Sequence, residues 1–306
     1  MEWITVFSPA SIGNIGPGFD VLGMAIKGLG DTIQARKIEK GIIISSLESI
    51  NPLTNDPTKN TVTLAAQEVL TQLGINGGIE FRIKKGLPIG SGLGSSAASA
   101  AAGAFAANYL YGNSLTKEQL VLPATKAEEK VSGGFFADNT APALLGGATL
   151  TRSLFPLDII HLGTITDAKL IVVTPNIKVL TSDARKIIPQ QVPLKDVVSN
   201  MAHTALIAAA FSKNNYAFFS KSLHDVIIEP ARSSLIPGFY EVKQNAILAG
   251  ADGVAIAGSG PAMFAITHSK EIAENVKRVM IETFQKNGIF AQGLVTEIDV
   301  DGTRLI

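Results

Sequence analysis

Three glycines at alternating positions, Gly90, Gly92 and Gly94, stand immediately ahead of Ser95-Ser96 and a run rich in alanine. Residues without a Cβ take positive-φ conformations, and alternating them lets successive backbone N–H groups turn into one concavity. Alanine is the strongest helix former, so the loop must feed directly into a helix. The first-turn N–H groups of that helix lack partners, and its dipole end favours an anion. A polyphosphate is the natural occupant. One of the two serines is expected to cap the helix, which leaves the other hydroxyl free to reach a phosphate-bound Mg²⁺. The plainer alternative is a tight strand-to-helix turn with a closely packed core helix, and three glycines followed by two serines exceed what such a turn needs.

Several phosphate-binding classes are excluded. A Walker loop carries Lys directly after its last glycine, whereas Gly94 is followed by Ser95. Residues 92–97 satisfy G-x-G-x-x-A behind an expected strand at 79–83, but the dinucleotide reading needs a second strand ending in an acidic residue about 20 positions on. At that distance Thr116-Lys117-Glu118-Gln119 reads as a helix start. No H-R-D or D-F-G triplet occurs, which argues against a protein-kinase loop. What remains is a resemblance. Pro88, Ile89, Gly90, Ser91, Gly92, Leu93, Gly94, Ser95, Ser96 and Ala97 resemble the P-x-x-x-G-L-G-S-S-A nucleotide motif of the GHMP superfamily of small-molecule kinases. That resemblance implies ATP as the phosphoryl donor.

The chain's 306 residues are enough for two domains with their own cores. Hydrophobic residues make up 46% and charged residues 17%, a globular balance. Lys+Arg and Asp+Glu both number 26, which gives no basic footprint for nucleic acid or an anionic membrane. A small-molecule partner is expected. Cysteine is absent, so disulfides and thiol chemistry are excluded and a cytoplasmic location is compatible. The N-terminus lacks the pattern of a signal peptide, and apolar runs such as 205–211 are far shorter than a membrane span.

In chain order, a strand is expected at 2–8 and a glycine-punctuated loop at 9–19. Within and beside that loop Asn14 and Asp20 are the polar side chains able to bind a ligand, although such residues in turns usually bond their own backbone. Residues 31–38 and 42–46 read as a strand pair turned at Lys40-Gly41. Residues 60–73 read as an amphipathic helix, and 79–83 as a half-buried strand. A second helix, 116–131, carries a stripe of Leu120, Ala124, Ala127 and Val131 that Glu128 flanks. From the residues alone Glu128 is equally a surface carboxylate. Further strands are expected at 148–152, 159–162 and 169–174, and helices at 181–186 and 193–212. Residues 253–267 place Gly-Ser-Gly-Pro between two apolar strands, as a hairpin would. A helix at 270–287 and a strand at 290–298 complete an α+β alternation.

Five more segments extend the resemblance, and four of them are similar to the homoserine kinase branch of that superfamily. The segment from Ser11 to Gly23 resembles S-x-x-N-x-G-P-G-F-D-x-L-G, which implies that Asn14 and Asp20 face an amino acid substrate. Residues 133–142 resemble G-x-x-H-A-D-N-x-A-P, with Asp138 and Asn139 at the reacting hydroxyl and Phe136 standing where His is expected. Thr181-Ser182-Asp183-Ala184-Arg185 and the segment ending Glu229-Pro230-Ala231-Arg232 resemble two motifs whose arginines, Arg185 and Arg232, suit a carboxylate clamp. Gly258, with Ser259 and Gly260, resembles the third superfamily motif, which brings backbone against the phosphate loop. The resemblance further implies Ser96 and Glu128 as Mg²⁺ ligands and a catalytic set of Asn139, Glu128 and Ser96.

The implied fold is a two-domain GHMP kinase fold of α+β class. Its N-terminal half, 1–152, would be ribosomal protein S5 domain 2-like and hold the nucleotide; its C-terminal half, 153–306, would be a ferredoxin-like α/β sandwich. The implied activity is ATP-dependent phosphorylation of the L-homoserine side-chain hydroxyl. A sibling kinase acting on mevalonate or shikimate, or a non-catalytic metabolite sensor, are the alternatives. A symmetric homodimer is the default expectation for assembly.

Overall fold

The computed structural model describes residues 2–306. The chain forms β1 (Ile4–Gly13), β2 (Leu22–Ile38), β3 (Gly41–Glu48), α1 (Thr61–Gln72), β4 (Gly78–Lys84), α2 (Ser95–Leu110), α3 (Lys117–Ser132), α4 (Thr140–Leu145), β5 (Ala148–Leu154), β6 (Leu157–Gly163) and β7 (Lys169–Pro175). It continues through α5 (Thr181–Lys186), α6 (Leu194–Ser212), α7 (Tyr216–Ser220), α8 (Ile228–Ser233), α9 (Phe239–Leu248), β8 (Gly253–Ile256), β9 (Met263–Thr267), α10 (Lys270–Lys286), β10 (Ala291–Thr296) and β11 (Arg304–Leu305).

The first sheet runs β11-β1-β2-β4-β3, with β5 on β2 and β6 on β5. The expected pairing of residues 31–38 with 42–46 does not form, because β4 lies between β2 and β3. Burial explains the order. Ile79, Phe81 and Ile83 of β4 are buried, whereas β3 alternates between exposed and half-buried positions, as an edge strand does. β3 pairs with β4 in parallel, and α1 supplies the crossover that parallel neighbours require. β1 also runs on to Gly13 through the expected loop, because Ala10 and Ile12 are buried and pair with Ile26 and Met24 of β2. The division expected after residue 152 falls inside β5. Strand pairing, not chain order, decides sheet membership, so β6 extends the first sheet to Gly163 and β11 returns to its edge beside β1.

Helix α2 is apolar on nearly every side and buried from Ala97 to Asn108 except at Phe105. An all-round apolar helix belongs in a core, and small side chains let its neighbours approach closely. A Cβ on Gly103 would collide with the backbone of Val62 in α1. The second sheet is antiparallel with order β10-β7-β9-β8. Counted from β7 this is the 4-1-3-2 order of a ferredoxin-like unit, with α9 and α10 packed over Ile171, Val173, Met263 and Ala265. Another core cluster joins the two halves through Ile12, Met24, Leu170, Ile207, Phe211 and Phe264.

Candidate active site

Gly90, Gly92 and Gly94 all take positive φ, at 70°, 84° and 64°. Gly94 itself is the N-cap of α2, with no side-chain capping bond, so the expectation that Ser95 or Ser96 caps the helix is corrected. Both hydroxyls are drawn elsewhere: Ser95 Oγ donates to the Leu87 carbonyl at 3.2 Å and Ser96 Oγ to Glu128 Oε1 at 2.7 Å. The helix start therefore keeps N–H groups that an anion can satisfy. The β8–β9 turn meets the loop from the other half, as Ala262 N donates to Ser91 O at 3.0 Å, and it also reaches the end of β1, where Gly258 N donates to Gly13 O at 3.1 Å.

Beneath this loop lies a polar network that sequence reasoning missed. Buried Lys85 pairs with Asp31 and donates to Ser95 O at 2.7 Å and Ser99 Oγ at 2.8 Å. Asp31 also accepts from Ser99 Oγ at 2.7 Å and from Gly86 N at 3.1 Å. With every partner filled, the network ties the first two turns of α2 to the middle of β2 and the end of β4. The one available signal was a lysine just before a glycine-rich loop, and nothing nearby in sequence pointed to Asp31.

A cavity of about 470 Å³ opens between the two halves. Of the nucleotide-loop residues, Ile89, Gly90, Ser91, Gly92, Gly94, Ser95 and Ser96 line it. Leu93 and Ala97 are buried in the core instead, and Pro88 does not line it. Glu128 reaches the same cavity from α3. Burial pushes its carboxyl pKa up, while the Ser96 hydrogen bond and Lys85 pull it back. Its Oε2 is buried without a partner, a costly state for a carboxylate and one that a bound cation would relieve. Val131, expected to share the buried stripe, is 50% exposed because it lies at the last turn, where α3 reaches the cavity rim.

Asn14, Asp20, Asp138, Asn139, Arg185, Arg232 and Gly258 line this cavity too. Asn14 Oδ1 accepts from Asp20 N at 2.8 Å, so its carbonyl shapes its own turn and its amide N–H₂ is the group left for a ligand. Arg185 grips Asp20 with both Nη atoms, at 2.8 and 3.0 Å. Arg232 is buried, donates to Gly258 O at 2.9 Å, and leaves its Nε without a partner. Asn139 Oδ1 accepts from Ser11 Oγ at 3.0 Å. Gly13 makes this closeness possible, since a Cβ there would lie 2.5 Å from Asn139 Nδ2 and collide with Asp138.

The Asp138 carboxyl is pushed up to about 7, chiefly by burial and then by Asp20, with Arg232 and Arg185 opposing. Between roughly pH 4 and pH 7 the unfolded chain has released this proton and the folded chain keeps it. Stability then falls as pH rises across that window, by on the order of 4 kcal/mol at most. Asp138→Asn is expected to flatten the slope, as followed by thermal unfolding at pH 4, 5.5 and 7; an unchanged slope refutes the assignment.

Comparison with known proteins agrees with this geometry. Residues 60–147 match the family described as GHMP kinases N terminal domain, and residues 207–286 match GHMP kinases C terminal. A homoserine kinase of Chloroherpeton thalassium is 40% identical, over 94% of this chain and 93% of its own. One from Arabidopsis thaliana is 39% identical, over 99% of this chain and 84% of its own. The crystal structure of homoserine kinase from Cytophaga hutchinsonii superposes with a TM-score of 0.95 at 39% identity, covering 100% of this chain and 98% of that one. With the two-domain fold, the cradle and full-length likeness in agreement, the chain belongs to the homoserine kinase family of the GHMP kinases.

Proposed function

We propose that this protein transfers the γ-phosphoryl of ATP to the side-chain hydroxyl of L-homoserine, giving O-phospho-L-homoserine for threonine biosynthesis. The observation that carries this reading is one cavity that brings a phosphate-binding loop and Glu128 together with Asp20, Asp138, Arg185 and Arg232, groups whose charges complement both ends of an amino acid zwitterion. Phosphoryl transfer needs alignment and charge neutralisation more than covalent help from the protein.

The loop from Gly90 to Ser96 holds the phosphates through backbone N–H groups. Ser96 and Glu128 would hold Mg²⁺; the orphaned Oε2 of Glu128 and the adjacent hydroxyl suit an oxygen-seeking ion. Such an ion, when bound, neutralises charge on the transferring phosphoryl group. Asp20 and Asn14 receive the substrate ammonium, and Arg185 and Arg232 its carboxylate. Asn139 orients the reacting hydroxyl. An amide takes up no proton, so the hydroxyl proton passes to phosphate or water. A second reading gives that proton to Asp138, whose pKa of about 7 suits a base at neutral pH. An inflection near pH 7 in kcat/KM that vanishes in Asp138→Asn would favour it. The cysteine-free sequence fits work in a reducing cytoplasm, and among the described residues no helix is long and apolar enough to cross a membrane.

The test is turnover with ATP and Mg²⁺ against a panel of L-homoserine, mevalonate and shikimate, where homoserine is expected to be the preferred acceptor. In Arg232→Ala the homoserine KM is expected to rise about tenfold or more, the range set by one charge-assisted hydrogen bond, with the ATP KM unchanged. Unaltered kinetics in that variant would remove Arg232 from the substrate site.

A further inference from the structure

Phe136 occupies the position where the resembled motif carries His, and its ring donates no hydrogen bond. The structure turns the ring toward Arg185, whose guanidinium carbon lies 4.0 Å from the Phe136 ring centroid and 5.2 Å from that of Phe19. The same guanidinium uses both Nη atoms on Asp20. Its face is thus covered by aromatic carbon while its edge is presented to a carboxylate.

The loop that carries Phe136 is itself buttressed. Gly134 gives the ring room to fold back over the loop, since a Cβ there would lie 2.9 Å from Phe136 Cδ2. The neighbouring Phe135 stacks on Phe155 with centroids 5.2 Å apart and planes at 24°. Phe155 sits at the β5–β6 turn and is 79% exposed, so packing beneath it contributes little and the stack on Phe135 is its main contact with the site.

We propose that Phe135 and Phe136 form a brace for Arg185. Phe136 holds the guanidinium plane in register for a carboxylate, and the Phe135–Phe155 stack fixes the loop that carries it. The brace rests on the carboxylate-binding role given to Arg185 above. A planar fork recognises a carboxylate only when the two planes align, and a fork already aligned loses less freedom when the ligand arrives. The aromatic brace supplies by orientation what the absent histidine supplies by donation. Phe136 and Phe155 are positioning residues; neither touches the reacting atoms.

Phe136→Leu keeps an apolar side chain and removes the ring. The homoserine KM is expected to rise about 3- to 30-fold, the span of a cation–π contact between exposed and desolvated settings. The ATP KM and kcat stay within about twofold, whereas Phe136→Tyr restores the homoserine KM to within about twofold of wild type. Phe155→Ala, at an exposed site where folding is not at risk, shifts the homoserine KM in the same direction by a smaller factor, about two- to fivefold. The deciding measurement is a double-mutant cycle on kcat/KM, read well below the homoserine KM. In an Arg185→Met background Phe136→Leu is expected to have no further effect. If it still lowers kcat/KM there as much as in wild type, or if Phe136→Tyr behaves like Phe136→Leu, the brace is overturned. Wild-type protein that fails to turn over homoserine would instead overturn the functional reading, and the two failures are told apart by the wild-type assay alone.

Discussion

Glu128→Gln is expected to lower kcat at least a hundredfold while making the ligand-free protein more stable. The two effects have one cause. Glu128 is buried, its Oε2 has no partner, and burial raises its pKa. The folded chain therefore bears the cost of a desolvated carboxylate that Ser96 and Lys85 offset only in part and that a bound cation would relieve. Gln preserves the shape and leaves an amide oxygen to accept from Ser96 Oγ, but it removes the charge. Partners behind metal ligands are worth 10- to 100-fold when lost, and a ligand itself is worth at least that. Stability is expected to rise by about 1–3 kcal/mol. Because burial holds the folded-state pKa above the ordinary glutamate value, the advantage of Gln should grow as pH rises from about 4.3, the pKa of an unperturbed glutamate. Thermal unfolding in EDTA across pH, set beside kcat at saturating Mg²⁺, checks both signs. A variant that loses stability, or that keeps most of its turnover, would show that Glu128 is a structural carboxylate.

Local chemistry was legible in the sequence, and distant pairing was not. The glycine loop could be read because positive φ is a property of the residues themselves. Helix starts could be read for the same reason: Asn60 caps α1 through Val62 N, and Thr116 with Gln119 forms a capping box on α3. The alternation of strands and helices pointed only to an α+β half, and the ferredoxin-like order of the second sheet was implied by the family resemblance alone. By contrast, Asp31 and Lys85 meet across 54 residues, and neither carries a local mark of the other. The β2–β3 turn looked like a hairpin because Lys40-Gly41 suits one, yet the apolar alternation of β4 claims the central place.

The candidate site was legible to the extent that its residues came in contiguous motifs. Asn14, Asp20, Glu128, Asp138, Asn139, Arg185, Arg232 and Gly258 all reach one cavity. What the motifs did not convey is how those groups satisfy one another. Arg185 is committed to Asp20, Asn14 uses its carbonyl on the Asp20 backbone, and Ser96 bonds Glu128. A zwitterionic substrate would exchange with the Asp20–Arg185 pair end for end, ammonium to Asp20 and carboxylate to Arg185, leaving no charge unpaired. A carboxylate without an ammonium would take Arg185 and strand Asp20. The pair therefore favours an amino acid over mevalonate, a preference that a list of ligand-facing residues does not contain.

The second large effect is expected at Gly92, where the two halves of the molecule meet through backbone. Gly92 has φ of 84°, a conformation that costs an L-residue about 1–2 kcal/mol. A Cβ there would also collide with Ala257 O and lie 2.8 Å from Gly260 O, both in the β8–β9 turn, and forcing such an overlap apart costs roughly 1–3 kcal/mol more. Gly92→Ala is thus expected to lower Tm by roughly 3–8 °C and to raise the ATP KM more than tenfold, because relieving the collision moves the phosphate loop itself. Gly41→Ala separates the two contributions: its φ is 79°, but nothing lies within 4 Å of the added carbon. That variant should show the conformational strain alone, about 1–2 kcal/mol, with the ATP KM unchanged. If the two substitutions were equally mild and both left ATP binding intact, the turn from the second half would not be holding the cradle in shape, and the contact between the halves would have to be sought in side chains.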